Sequence, residues 1–253
     1  MRLFHTRFTG VLLLIVLAAV WQLVATLNVM NSSSLPTVTE ILSSLWELTV
    51  SGELPSELAL SLQRVAIGYG LAVIIGVGLG LAMGYSRALH NLLEPVTELL
   101  RPIPSPAYIP LAILFLGLGE SMKIFVIAFS CTFPILLNTF SSIRAVDLVL
   151  VDTGRTFGAK RFDQIVKIYL PSALPGIFTG MRVALGISLI VVVIAEMVAS
   201  GGGIGYFILN AQRLFQVPEM YAGIVTLAVT GYLLNLIFVV IEGRVLRWQP
   251  KSV

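Results

Sequence analysis

The sequence predicts an all-α protein, a polytopic bundle of membrane-spanning helices. Three observations carry this expectation. Of 253 residues, 57% are hydrophobic and 11% charged, and the mean hydropathy is +0.95, whereas a soluble domain devotes about 25% of its residues to charge. Apolar runs of about 20 residues, the length that crosses a bilayer, recur along the chain. Lys and Arg gather in alternate connections between those runs, as cytoplasmic segments do. So few charges cannot clothe a water-facing surface. The same composition excludes a disordered chain, a disulfide scaffold and a simple nucleic-acid binder, and the single cysteine, Cys131, has no intrachain partner.

The whole chain, 1–253, reads as one transmembrane domain with six spans. The first covers about 11–29, behind Arg2 and Arg7. A cleaved signal peptide is its rival, since Ala18 and Ala19 mimic a cleavage site, but the run continues through Trp21 and Leu23 to Val29, as an uncleaved anchor does. The second span, about 60–85, is rich in glycine. The third, 107–118, is short and follows Pro102, Pro104 and Pro106, with Pro110 inside it. It is either a span or a re-entrant segment, which would leave five spans; broken segments of this kind survive in a protein interior. The fourth, fifth and sixth spans cover about 124–140, 177–198 and 222–241.

Charge orients the bundle. With both termini cytoplasmic, the inner segments hold Arg2, Arg7, Arg87, Arg101, Arg144, Arg155, Lys160, Arg161, Lys167, Arg244, Arg247 and Lys251, twelve of the 16 basic residues. The outer segment 31–58 holds none. Within it Val38, Ile41, Leu42 and Leu45 recur at helical spacing after Pro36 and Thr37, which predicts a short amphipathic helix on the outer surface.

The inner segment 141–175 is too polar to span and too patterned to be slack. It predicts a short helix about 148–157, a turn at Gly158-Ala159 and a second helix about 161–169, with Pro171 and Pro175 stopping or bending the chain before the fifth span. From its residues alone it is either a connector or a docking element for a cytoplasmic partner.

Within the spans, Gly76, Gly80 and Gly84 form successive small-xxx-small steps that let helices approach closely; Gly176 and Gly180 repeat the step. Glu196, after the apolar run 189–195, is costly at a span centre. It reads as paired with, or hydrogen-bonded to, the loop 200–203, or as a gate or substrate contact. Arg182 reads as snorkelling to the interface or as a gate contact. Glu120 and Lys123 read as a solvated pair, and Arg213 and Glu219 flank the last outer loop. Asn138 and Asn235 read as hydrogen-bonding groups between helices. No His, Cys and carboxylate cluster has metal-ligand spacing, no nucleophile–base set is visible, and no G-x-x-x-x-G-K-[ST] loop occurs. The chain is therefore expected to be no enzyme and to bind no cofactor.

The segment SSIRAVDLVLVDTGRTFGAKRFDQIVKIYLPSALPG (141–176) resembles the signature loop of permease subunits of bacterial ABC importers. Asp152, Thr153 and Gly154 stand where that family has Glu-Ala-Ala, Gly158 stands on its glycine, Ile168 on its apolar position and Leu170-Pro171 on its ending. Thr153 and Gly154 depart from the alanines and form helix less readily. Further stretches carry the likeness from about Leu35 to Val245: SGELPSELALSLQRVAIGYGLAVIIGVGLGLAMG (51–84), RPIPSPAYIPLAILFLGLGES (101–121), FPILLNT (133–139), LPSALPGIFTGMRVALG (170–186) and AEMVASGGGIGYFI (195–208). They look most like the branch serving nitrate, sulfonate, taurine, bicarbonate and some pyrimidine precursors.

The resemblance implies a type I importer permease fold in the bacterial inner membrane. It implies that Asp152 to Ala159, including Arg155, Thr156 and Phe157, form a coupling helix on a cytoplasmic ATPase dimer that holds ATP and Mg. It also implies a second permease copy, a periplasmic or lipid-anchored solute-binding protein, a small solute and surrounding lipid as partners. The contrasting expectation is a secondary transporter or channel driven by an ion gradient, which would need paired intramembrane ionisable residues or repeated halves.

Overall fold

The computed structural model describes residues 2–27, 35–199 and 201–248, with side chains from Leu12 onward except Leu14. Among these residues every regular element is helical. Helix α1 is Arg2–Thr26. The expected first span, 11–29, lies partly outside the described residues; its described apolar helix is Ile15–Thr26, shorter than a bilayer crossing.

Helix α2, Val38–Val50, is the expected amphipathic segment. Thr37 and Glu40 close a reciprocal cap: the Glu40 N–H donates to the Thr37 hydroxyl at 3.2 Å, and the Thr37 N–H donates to the Glu40 carboxylate at 2.7 Å. The helix buries Ile41 and leaves Leu42 and Trp46 exposed. Gln22 of α1 accepts from the Val38 N–H at 2.8 Å, and the Trp21 indole donates to the Pro36 carbonyl at 3.0 Å, so α1 is pinned to the start of α2.

Helix α3, Glu53–Tyr85, starts earlier than the apolar run suggested. Its 33 residues span roughly 50 Å, more than the ~30 Å of hydrocarbon, so its polar first turns lie beyond the apolar belt. Helix α4, Arg87–Leu100, and α5, Ile109–Leu116, which follows a tight turn at Ser105–Tyr108, form a pair bent by 93°, the geometry of a broken span or a re-entrant loop. Because the long helices before and after it run parallel, the pair returns the chain to the other side and counts as the third crossing. Pro102, Pro104 and Pro106 stand in the bend, where ring closure removes N–H donors and excludes regular helix. Arg101, expected beside Arg87, is separated from it by the whole of α4, about 21 Å.

Helix α6 is Glu120–Arg144, α7 is Leu148–Thr156, and α8 is the 39-residue helix Arg161–Ala199. Here the structure corrects the sequence: Pro171 and Pro175 do not stop the helix, which runs on to Ala199. A π turn at Ile165–Tyr169 widens the helix, and the Leu170 N–H donates to the Ile165 carbonyl, so the ladder shifts by one residue before the prolines. Helices α9, Ile204–Arg213, and α10, Val217–Val245, are the last elements among the described residues. Among the described residues, four helices are long and apolar enough to cross a membrane, five with the bent pair.

The core is a triad of α3, α6 and α8 around Ala72, Val126, Ile127, Cys131, Ile135 and Val192. Helices α3 and α6 run parallel: Gly68 lies against Ile127, Gly76 against Ile135 and Gly84 against Ile143. Helix α8 returns antiparallel, with Gly180 against Asn138 and the Cys131 thiol donating to the Ala184 carbonyl at 3.3 Å. Helix α10 lies at the periphery with most of its apolar surface uncovered, as a lipid-facing helix does.

Candidate functional site

Three features stand out: the α7 hairpin at one end, an ion cluster at the other, and a cavity between them. The hairpin follows from local sequence. Asp147 caps α7, its carboxylate accepting from the Val149 N–H at 2.8 Å. The helix ends in a Schellman turn: the Ala159 N–H donates to the Gly154 carbonyl and the Gly158 N–H to that of Arg155, both at 2.9 Å. Gly158 has φ +78°, a conformation that a side chain disfavours. Val151 is buried, and Ile168 reaches over Gly154. Asp152 and Arg155 pair at 2.9 Å on the exposed face. Thr153 and Thr156 are exposed and donate to the carbonyls of Val149 and Asp152. Ala159 is half-buried and its carbonyl accepts from Gln164 at 2.9 Å, while Leu170 and Pro171 are half-buried where the hairpin joins α8. The tip carries uncovered apolar side chains: Leu148, Val149, Phe157 at 86% exposure and Phe162 at 74%. Isolated residues of this kind are ordinary, but a contiguous set marks a surface that another molecule covers.

At the opposite end Glu196, fully buried, is met by Arg64, which sequence reasoning did not single out. The Arg64 Nη1 donates to Glu196 at 2.6 Å and to the Gly202 carbonyl at 2.8 Å. Its Nε and Nη2 grip Glu120 in a fork at 2.6 and 2.8 Å. Ser61 donates to Glu196 at 2.8 Å and accepts from the Ile204 N–H at 2.8 Å. The Gly205 N–H donates to Glu196 at 2.9 Å, and the Gly203 N–H donates to Glu57. Gly203 has φ +108°, and a Cβ there would run into the Glu196 carboxylate and Arg64. Lys123 donates to Glu120 at 2.8 Å with its side chain 4% exposed. The expected solvated Glu120–Lys123 pair is thus corrected: Lys123 is buried, and Glu120, itself 58% exposed, bridges it to Arg64. A signal for Arg64 was present, since Glu57, Ser61, Arg64 and Gly68 share one helical face.

Arg182 forms an ion pair with Glu242 of α10 and lies over the Phe238 ring at 6.0 Å, instead of reaching alone to an interface. Gly76, Gly80 and Gly84 face α6; a Cβ at Gly80 would lie 2.6 Å from the Leu136 carbonyl oxygen. Asn138 donates within its own helix, to the Pro134 carbonyl at 2.8 Å, and Asn235 is exposed.

The cavity, about 460 Å³, lies where the elbow of the third crossing meets the middle of α6. Arg101, Ser105, Tyr108, Ser130 and Asn138 supply polar groups, and Ile103, Phe133, Leu137 and Ile187 supply apolar walls.

The family described as binding-protein-dependent transport system inner membrane component matches residues 72–248. A protein of Bacillus subtilis (strain 168) named for aliphatic sulfonates transport is 38% identical over 240 residues, covering 95% of this chain and 87% of that one. The taurine transport system permease protein of Escherichia coli (strain K12) is 33% identical, with coverage of 94% and 88%. The nitrate import permease protein of Leptolyngbya laminosa is 32% identical, with coverage of 93% and 86%. Among solved structures, the fold is similar to that of an inward-facing MetNI methionine ABC transporter, TM-score 0.65 at 18% identity, covering 76% of this chain and 95% of that one. It is also similar to an amino acid ABC transporter crystallised with histidines, TM-score 0.62 at 13% identity, covering 81% and 98%. The chain is a multi-pass inner-membrane permease and belongs to the binding-protein-dependent transport system inner membrane component family.

Proposed function

We propose that this permease serves an ATP-driven importer of a small anionic or zwitterionic solute: an organic sulfonate, taurine or nitrate. The names of its relatives supply the solute class. The observation that carries the mechanism is the α7 tip, a rigid, capped helix whose apolar residues lack a cover within the chain. In this reading α7 and both termini face the cytosol, where the basic residues gather. A dimeric ATPase that holds ATP and Mg binds one α7 from each of two permease copies. A solute-binding protein docks at the end that carries α2 and α9. Closure of the ATPase moves α7, and the stiff helix α8 passes that movement to the bundle as a change of access. The chain itself breaks no bond and binds no cofactor.

The buried Arg64–Glu196 pair gives the gradient-driven reading a specific foothold, because such transporters use paired intramembrane charges. Against it, both groups are tied to the backbone of 202–205, which suits a fixed joint better than a titrating relay.

The test is reconstitution of the chain with a candidate ABC ATPase and solute-binding protein from the same organism, following taurine, ethanesulfonate and nitrate uptake into proteoliposomes. Uptake should require ATP, and Phe157→Asp should abolish ATPase co-purification while the permease keeps its gel-filtration profile. Uptake by the chain alone, driven by an ion gradient without ATP, would sink the importer reading.

A further inference from the structure

We propose that the cavity at the elbow of the third crossing holds the anionic head group of the solute in transit, with Arg101 as its positive charge. This rests on the importer reading above and assigns a site to it.

The position fits passage. The cavity sits halfway along the bundle, beside Ser130 near the middle of α6 (Glu120–Arg144), where the 93° bend leaves helix ends instead of a sealed wall. Discontinuous helices of this kind build solute sites near the membrane midplane. The size, about 460 Å³, falls within the range of small-molecule sites.

The charge fits an anion. Arg101 is the charged residue among the described lining residues, and no carboxylate accompanies it there. Arg101 contrasts with Arg64. Arg64 has its side chain 5% exposed and saturated by Glu120, Glu196 and Gly202. Arg101 has its side chain 56% exposed and forms a single-contact ion pair through Nη1 with the exposed Glu98, one turn back, at 3.8 Å. A guanidinium suits a planar or tetrahedral oxyanion.

The neutral donors fit as well. Ser130 gives its proton to the Val126 carbonyl at 2.7 Å, so in the Tyr108–Ser130 contact the phenol is the donor. Rotation of that hydroxyl turns it toward a ligand. The Asn138 amide has two N–H groups and gives one to Pro134. Phe133 and Ile187 offer an apolar wall for a short alkyl chain.

The experiment reads charge selectivity directly and needs no knowledge of the natural solute. In a Cys131→Ala background, Ser105→Cys is reacted in membrane vesicles with anionic sulfonatoethyl methanethiosulfonate and with its cationic trimethylammonioethyl analogue. Both rates are normalised to a free thiol. The anionic reagent should be favoured by about tenfold, the effect of one partly screened charge at close range. Arg101→Gln should bring the ratio to about one, Arg101→Lys should keep it, and excess ethanesulfonate should slow the labelling. Asn138→Cys repeats the measurement from the other wall if Ser105→Cys misfolds. A ratio near one with Arg101 present, a ratio unchanged in Arg101→Gln, or thiols at both positions inert to both reagents would overturn the proposal. Selective labelling without ATP-dependent uptake of any tested solute would instead fault the importer reading and leave the anion site standing.

Discussion

The Arg64 guanidinium and the Glu196 carboxylate meet at 2.6 Å, although 132 positions separate them in the chain. Their side chains are 5% and 0% exposed. The contact joins the start of α3 to the end of α8 and, through Glu120, to the start of α6. Removing one partner of a buried pair strands the other charge and costs about 3–5 kcal/mol, whereas replacing both with apolar groups of similar volume is often neutral. Arg64→Ala or Glu196→Ala should therefore lower the midpoint of thermal aggregation sharply, and Arg64→Met with Glu196→Met should recover most of it. Fluorescence-detected gel filtration after heating measures this. Single variants as heat-resistant as the parent protein would show that the pair contributes nothing to holding the three helices together.

The α3–α6 seam makes a position-specific prediction from two glycines on one helix. A Cβ at Gly80 would lie 2.6 Å from the Leu136 carbonyl oxygen and from Thr139, whereas nothing stands within 4 Å of a Cβ at Gly78. Backbone cannot step aside as a side-chain tip can, so Gly80→Ala should cost about 1–3 kcal/mol by overpacking. Gly78→Ala should be neutral or should stabilise by up to about 1 kcal/mol through helix propensity. Comparing the two variants in the same heating assay separates seam packing from propensity.

The sequence shows the fold well where one physical signal dominates. Long apolar runs mark α3, α6, α8 and α10, and the helical spacing of Val38, Ile41, Leu42 and Leu45 marks α2. It misleads where two signals compete. Pro171 and Pro175 read as breakers because proline forfeits an intrahelical bond, but the π turn before them shifts the ladder, and no residue type announces a π turn. Arg64 was hidden because a single arginine inside a glycine-rich apolar helix has no partner nearby in the chain; its partners are 56 and 132 positions away. Lys123 looked solvated beside Glu120 for the same reason, since the Arg64 that shares Glu120 with it is 56 positions from that carboxylate. The cavity was less legible still: its polar groups come from 101–108 and from α6, and their meeting depends on a bend whose angle the prolines permit but do not set.

The cap of α2 gives a pH dependence. Hydrogen bonds from the Thr37 N–H and hydroxyl hold the exposed Glu40 carboxyl below its ordinary value. A lowered folded value means that the capping contribution is present above the unfolded carboxylate pKa and fades as pH falls through the folded one. Amide exchange in 38–50 should thus accelerate, relative to the rest of the chain, as the pH drops below about 4. Glu40→Gln should remove this dependence. Equal acid sensitivity in the Gln variant would place its origin elsewhere.

Gly154 and Ile168 test whether the departure from Glu-Ala-Ala in α7 is compensated locally. A Cβ at Gly154 would strike the Ile168 Cδ1 methyl, the far end of a flexible side chain, while the Ala159 Cβ stands clear at 3.8 Å. Glycine in a helix interior costs about 1 kcal/mol relative to alanine, and the space it leaves is filled by the longer arm of Ile168. Gly154→Ala alone should be close to neutral, because the gain in propensity is offset by displacing that methyl. Ile168→Val removes the methyl, so on its own it should leave a small gap and cost about 0.5–1.5 kcal/mol. Together the two changes should be less damaging than Ile168→Val alone, with slower amide exchange across 148–157 than in the parent chain. A double variant whose α7 exchanges as fast as that of Ile168→Val would mean that the two positions act independently, and that the glycine answers to something outside this contact.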